Sequence, residues 1–132
     1  MRFGYAWVGD RQAPIIPIQV RGRRRWHTIL TYVDSGASCS ILRPEEAKRL
    51  GVADLLPRRV SIATSGGRTM EIKLYRMAAR IGTWQRVVTF GVPQGFDLQF
   101  NLLGRKDVFE HFTITFHDRA GAITFVPDRP GR

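Results

Sequence analysis

The stretch Ile29-Leu30-Thr31-Tyr32-Val33-Asp34-Ser35-Gly36-Ala37 decides the reading of this chain. Five residues with the apolar, strand-like character of a buried β-segment end on a carboxylate. A small hydroxyl and a glycine follow it. A charge at the end of a buried strand is costly unless it is hydrogen-bonded, paired or needed for chemistry. Gly36 permits close backbone approach or a φ that other residues resist. Ser35 can fix the loop by hydrogen bonding to backbone. The plain reading is an Asx-turn closing a strand; the chemical reading is an acid held for use.

Outward from this loop the chain alternates. Ile16, Ile18 and Val20 alternate with Pro17 and Gln19, a half-buried strand with an edge-like start. After the turn Arg21 to Arg25, Trp26 to Val33 reads as its antiparallel partner and delivers Asp34. Downstream, Pro44 fits the first position of a short helix over Arg43–Leu50. Glu45 and Glu46 lie in its first turn, Lys48 and Arg49 in its last, Ala47 and Leu50 face inward, and Gly51 stops it. Val60 and Ile62, then Met70, Ile72 and Leu74, give two strands around a tight turn, Thr64-Ser65-Gly66-Gly67-Arg68. Trp84 to Phe90 is a further strand, Gly91 to Gly95 turns the chain, and Leu98 to Leu103 is apolar enough for a buried strand. Val108, Phe109 and Phe112 share one helical face. Thr113 to Phe116 and Ala122 to Val126 form a terminal hairpin, and Phe3 to Val8 is a further strand-like segment. Many short strands with one or two brief helices predict an all-β, barrel-like fold, one domain over 1–132 with 128–132 as a flexible tail.

Composition bounds the function. A chain of 132 residues suits one domain with a single modest core, and 43% hydrophobic content argues against disorder. No run approaches the roughly 18 apolar residues of a membrane span, so none is expected. The first residues lack the plan of a signal peptide, which gives a cytoplasmic expectation. Cys39 is the sole cysteine, so no intrachain disulfide is possible, and it reads as a small buried apolar residue. His27, His111 and His117 have no paired metal-ligand spacing; no metal and no cofactor are expected. The net charge of +10 concentrates at Arg21, Arg23, Arg24 and Arg25, with a second pair at Arg58-Arg59. A phosphate- or acid-binding patch is one reading; a solvated hairpin tip is the favoured one. Aromatic residues are not interleaved with the cluster as stacking platforms, which argues against a nucleic-acid partner.

Asp34-Ser35-Gly36 has the form of the loop on which aspartic proteases present their catalytic acid. Asn101-Leu102-Leu103-Gly104-Arg105, opening Lys106 to Phe112, resembles the segment that closes the fold in retroviral-type aspartic proteases. Ser65-Gly66-Gly67 resembles the tip of their flap. With three elements in order, the chain resembles a retropepsin-like domain, of a cellular or bacterial type because of the Arg43–Leu50 helix. That resemblance implies a single-lobe closed β-barrel, a twofold homodimer and a peptide or protein substrate. It makes Asp34 catalytic and Ser35 a brace between two loops. Gly36 and Ala37 would offer backbone to an extended substrate, and Ser65, Gly66 and Gly67 would cover it. Gly104 and Arg105 would be structural, and Tyr32, Val33, Val92, Leu102 and Leu103 pocket walls or nearby core.

Aspartic proteolysis needs two carboxylates about 3 Å apart sharing a proton. The chain has one Asp-Ser/Thr-Gly, so a second copy must supply the other acid. Retroviral enzymes usually carry an acid two positions after this tripeptide, paired with the arginine of the Gly-Arg motif. Here the place is Ser38, so Arg105 must find another partner or face solvent. The alternatives are a non-catalytic dimerisation or peptide-binding module of the same fold, and a basic nucleic-acid-binding β domain.

Overall fold

A computed structural model describes residues 1–52, 66–67 and 69–129, and the backbone of 58–63. Its elements are β1 (Arg2–Gly4), β2 (Ala6–Val8), β3 (Arg11–Ala13), β4 (Ile15–Arg21), β5 (Trp26–Val33), β6 (Ser40–Ile41), α1 (Pro44–Leu50), β7 (Arg58–Ala63), β8 (Thr69–Ile81), β9 (Trp84–Pro93), β10 (Asn101–Leu103), β11 (Phe112–His117) and β12 (Ala122–Pro127). Strands β4-β5-β10-β6-β9-β8 lie side by side, and β8 returns to β4, closing a six-stranded barrel. Strand β7 extends the sheet beyond β8. A second sheet, β1-β12-β11, and the β2-β3 ribbon carry the two ends of the chain.

The β4–β5 hairpin forms as the alternation predicts, with Ile18 opposite Ile29 and Arg21 opposite Trp26. Pro17, which has no N–H, lies where β4 is paired with β5 alone; β8 joins only at Gln19 and Val20. In β5 the inward residues are His27, Ile29, Thr31 and Val33. Leu30 is 61% exposed, so the apolar run is a two-faced strand and not a wholly buried one. Buried Thr31 donates its hydroxyl to the Ile16 carbonyl at 3.2 Å, which removes the cost of placing it inside. Helix α1 has Pro44 at its start and buried Ala47 and Leu50. It ends on Gly51 at φ +74°, whose N–H reaches the Lys48 carbonyl at 3.0 Å.

The barrel core, with Ile16, Ile18, Leu42, Phe90 and Leu103, is continuous with the terminal sheet. Phe125 of β12 receives the rings of Phe3 and Phe112 edge-on at 5.7 and 5.2 Å. Several sequence-based boundaries move. Strand β8 runs on to Ile81, and Gly91 to Pro93 belong to β9, with the turn falling at Gln94 and Gly95. Strand β10 starts only at Asn101. The helical face of Val108, Phe109 and Phe112 is a single 3₁₀ turn, Phe109–His111, after which Phe112 opens β11. The segment Phe3 to Val8 divides at Tyr5 into β1 and β2. Among the described residues no helix is long and apolar enough to cross a membrane.

Candidate active site

Strands β5 and β10 are parallel, with Thr31 beside Asn101, Tyr32 beside Leu102 and Val33 beside Leu103. The register therefore sets Asp34 next to Gly104, one residue beyond each strand. Backbone bonds then lace the two motifs together. The Asp34 N–H donates to Leu103 O at 3.0 Å, the Arg105 N–H to Ala37 O at 2.9 Å and the Lys106 N–H to Ser38 O at 3.0 Å. The Gly104 N–H donates to the buried Ser40 hydroxyl at 3.0 Å. Gly104 must lack a side chain: a Cβ there would strike the backbone of Cys39 and the Ala37 carbonyl.

Asp34 Oδ1 accepts the Gly36 N–H at 2.9 Å, which is the Asx-turn of the plain reading. The plain and the chemical readings thus describe one geometry. Gly36 packs close to the acid: a Cβ at that position would lie 3.2 Å from Asp34 Oδ1, so the carboxylate would have to give by a few tenths of an ångström. The half-buried carboxylate opens on a cavity of about 510 Å³ lined by Tyr5, Gln12, Pro14, Tyr32, Val33, Asp34, Ser35, Phe116 and Asp118. Tyr32 and Val33 therefore share a cavity with the acid. Val92 and Leu103 are buried in the core and Leu102 is half-buried; none of the three lines that cavity.

Gly66 and exposed Gly67 sit between β7 and β8, whose paired ends are Ala63 and Thr69. Gly67 has φ +74°, and a Cβ at either glycine would meet nothing within 4 Å. Ser65 lies outside the described residues. The Arg105 side chain faces solvent and among the described residues forms no ion pair. Its neighbour Asp107, at φ +65°, accepts the Thr89 N–H at 2.9 Å. Burial would raise the Asp107 carboxyl. The Thr89 hydrogen bonds, with Lys106 and Arg76 nearby, outweigh that and hold it below the ordinary range. Cys39 is half-buried and its thiol is pushed up by burial, against a smaller opposing effect of Lys106, so little thiolate forms.

Tyr5, Gln12, Phe116 and Asp118 carry no signal in the sequence that would place them beside Asp34. They arrive through the pairing of β1 and β11 with β12 and of β2 with β3. Tyr5 donates its hydroxyl to Asp118 Oδ1 at 2.6 Å. Burial first, then that bond, the Asp118 charge and nearby Tyr32, push the phenol up to about 12. Ser40, which anchors Gly104, is equally silent in sequence. Among the described residues no three His, Cys, Asp or Glu side chains converge as metal ligands would.

Set beside solved structures, the chain is similar to two aspartic proteases. A retropepsin-like aspartic protease from Rickettsia conorii matches with a TM-score of 0.68 at 19% identity, over 95% of this chain and 90% of that one. EIAV protease complexed with the inhibitor HBY-793 matches with a TM-score of 0.53 at 17% identity, over 76% of this chain and 88% of that one. No family model and no curated protein matches the chain. At these identities the likeness is one of fold: the chain has the fold of a single retropepsin-like lobe.

Proposed function

We propose that the protein is a homodimeric aspartic endopeptidase in which Asp34 and the Asp34 of a second copy form the catalytic dyad. The observation that carries the reading is the strand-end carboxylate, locked by Gly36 and by β10, with a cavity in front of it. Among the described residues lining that cavity, Asp118 is the other carboxylate, and it is engaged by Tyr5. A second acid for Asp34 is therefore sought in a second copy, on a twofold axis between identical loops.

Two carboxylates about 3 Å apart cannot both ionise, so the pair holds one proton. The ionised member takes a proton from water as the water oxygen attacks the scissile carbonyl carbon. The protonated member donates its hydrogen bond to the carbonyl oxygen, where negative charge develops. Proton return to the amide nitrogen then lets the carbon–nitrogen bond break. Ala37 spends its N–H on the Asp34 carbonyl and its carbonyl on Arg105, so an extended peptide would be received at the exposed Gly36 carbonyl, and the segment around Gly66 and Gly67 would fold over it.

Digestion of a diverse peptide library across acidic to neutral pH, with Asp34→Asn as control, tests the reading. Wild-type cleavage should vanish in this nearly isosteric variant while its fold persists. Retained cleavage would remove the dyad. A wild type inert toward every peptide would move the protein to the peptide-binding module.

A further inference from the structure

At the other end of β5 from Asp34 lies a second built cavity, and we propose that it is a binding site for a compact polyphosphate anion. The cavity has a volume of about 480 Å³, and its walls are Arg23, Arg24, Arg25, His27, Arg49, Leu50 and Gly51. From His27 to Val33, at about 3.3 Å per residue, the two sites stand roughly 20 Å apart. Among the described residues they share no lining residue.

A merely solvated hairpin tip would let its arginines spread apart, because like charges in one place lower stability. This turn is instead docked. Gly22 donates its N–H to the Arg25 carbonyl at 2.8 Å, and the Arg23 N–H reaches the Leu50 carbonyl at 2.9 Å. Gly22 packs so closely that a Cβ would lie 2.5 Å from Leu50 O and 3.0 Å from the His27 ring. The turn is thereby closed onto the end of α1, and three consecutive arginines are brought to Arg49.

Arg49 is itself fixed. Its Nε donates to Glu46 Oε2 at 2.6 Å, Nη1 lies 3.4 Å from His27 Nδ1, and Nη2 donates to Thr28 O at 3.3 Å. Those three bonds leave guanidinium donors over on a half-exposed side chain. Among the described residues that line it, none is acidic. Buried His27 completes the floor. Its pKa is lowered by burial first and then by Arg25 and Arg49, against a weaker opposing effect of Glu46.

Planar guanidinium forks suit phosphoryl oxygens, and preorganised ones lose less freedom on binding. The cavity is far larger than a single phosphate group needs, which favours a short chain of them. Among the described lining residues there is no aromatic platform of the kind that a single-stranded nucleic acid would stack on.

The test is calorimetric titration of the full chain with inorganic tripolyphosphate at fixed salt. The expected result is saturable one-to-one binding that weakens at least about tenfold in Arg24→Gln/Arg25→Gln, since charge-assisted hydrogen bonds are the stronger kind. The charge-matched control Arg86→Gln/Arg119→Gln should bind as wild type does. The His27 imidazole, followed by NMR, should titrate at higher pH with tripolyphosphate present, because a neighbouring anion favours the imidazolium. Asp34→Asn should bind normally, so this site stands or falls apart from proteolysis. Unsaturable binding, undiminished binding by Arg24→Gln/Arg25→Gln, or equal weakening of the control would overturn the proposal. Tighter binding of an oligonucleotide of equal charge would replace the compact anion by a polymer.

Discussion

Replacing Gly104 by alanine tests whether the acid loop is held by backbone contact with β10. The added methyl would enter space occupied by the Cys39 backbone and the Ala37 carbonyl, which are not flexible side-chain ends. Overpacking a closed site costs about 1–3 kcal/mol. Relief requires the loop and β10 to separate, which weakens at least one of the bonds from Asp34, Gly104 or Arg105, at about 1 kcal/mol each. The expected loss is about 3 kcal/mol, roughly 150-fold in the folding equilibrium at 1.36 kcal/mol per decade. Urea unfolding followed by tryptophan fluorescence, at fixed protein concentration, measures it directly. Gly4→Ala is the control, because a Cβ there meets nothing within 4 Å and its φ is ordinary. It should stay within about 0.5 kcal/mol of wild type. If Gly104→Ala also stayed within that margin, close packing of this glycine could not be what fixes Asp34.

In the proposed dimer, peptide cleavage should fall faster than linearly on dilution; full cleavage by a species sedimenting as a monomer would refute the shared dyad. Deleting β12 should unfold even a single copy, since it is the central strand of the chain's own terminal sheet and carries buried Ile123 and Phe125. Asp107→Asn keeps a residue tolerant of φ +65° and an acceptor for Thr89, but removes the charge. Because the folded carboxyl is depressed, the wild-type advantage should be present above pH of about 4 and vanish as pH falls through the folded value, read from urea midpoints. Tyr5 shifts the opposite way. Its advantage over Tyr5→Phe should be full below pH of about 10 and disappear as pH rises through about 12, and the late-titrating phenol should be missing from the variant's ultraviolet titration.

What could be read from the sequence was local. The β4–β5 alternation, Pro44 opening α1 and Gly51 closing it are each fixed by neighbours a few residues away, and each holds in the structure. The misread boundaries have long-range or single-residue causes. Tyr75 to Ile81 contains one methionine, two arginines and two alanines, a poor strand signal, yet it pairs along its length with β9 and at Ala79 and Arg80 with β4. Leu98 and Phe100 flank Gln99 in a segment that lies outside β10, with the Leu98 carbonyl taken by Arg43 Nε at 2.6 Å. Helical winding after Arg105 is interrupted by the left-handed Asp107. Of the site, the acid loop and the Leu-Leu-Gly-Arg motif were legible because glycines mark them. The residues facing Asp34 across the cavity were not, because they depend on which strands meet.

The backbone lacing also accounts for a departure in the sequence. By the retropepsin resemblance, an acid is expected where Ser38 stands, paired with Arg105. Here the Ser38 carbonyl accepts the Lys106 N–H, the Ala37 carbonyl accepts the Arg105 N–H, and the Arg105 side chain is left to solvent. An ion pair between those side chains would duplicate a connection that the peptide groups already make. An exposed pair adds only about 0–1 kcal/mol and is screened by salt. Peptide hydrogen bonds do not titrate, whereas an acid–arginine clamp would weaken as its carboxylate protonated. A loop fixed by peptide groups therefore keeps Asp34 in place over the acidic range in which a proton-sharing dyad would work. The chain can do without the side-chain clamp because its register sets Leu103 beside Val33 and packs Gly104 against the backbone of Ala37 and Cys39 with no room for a side chain.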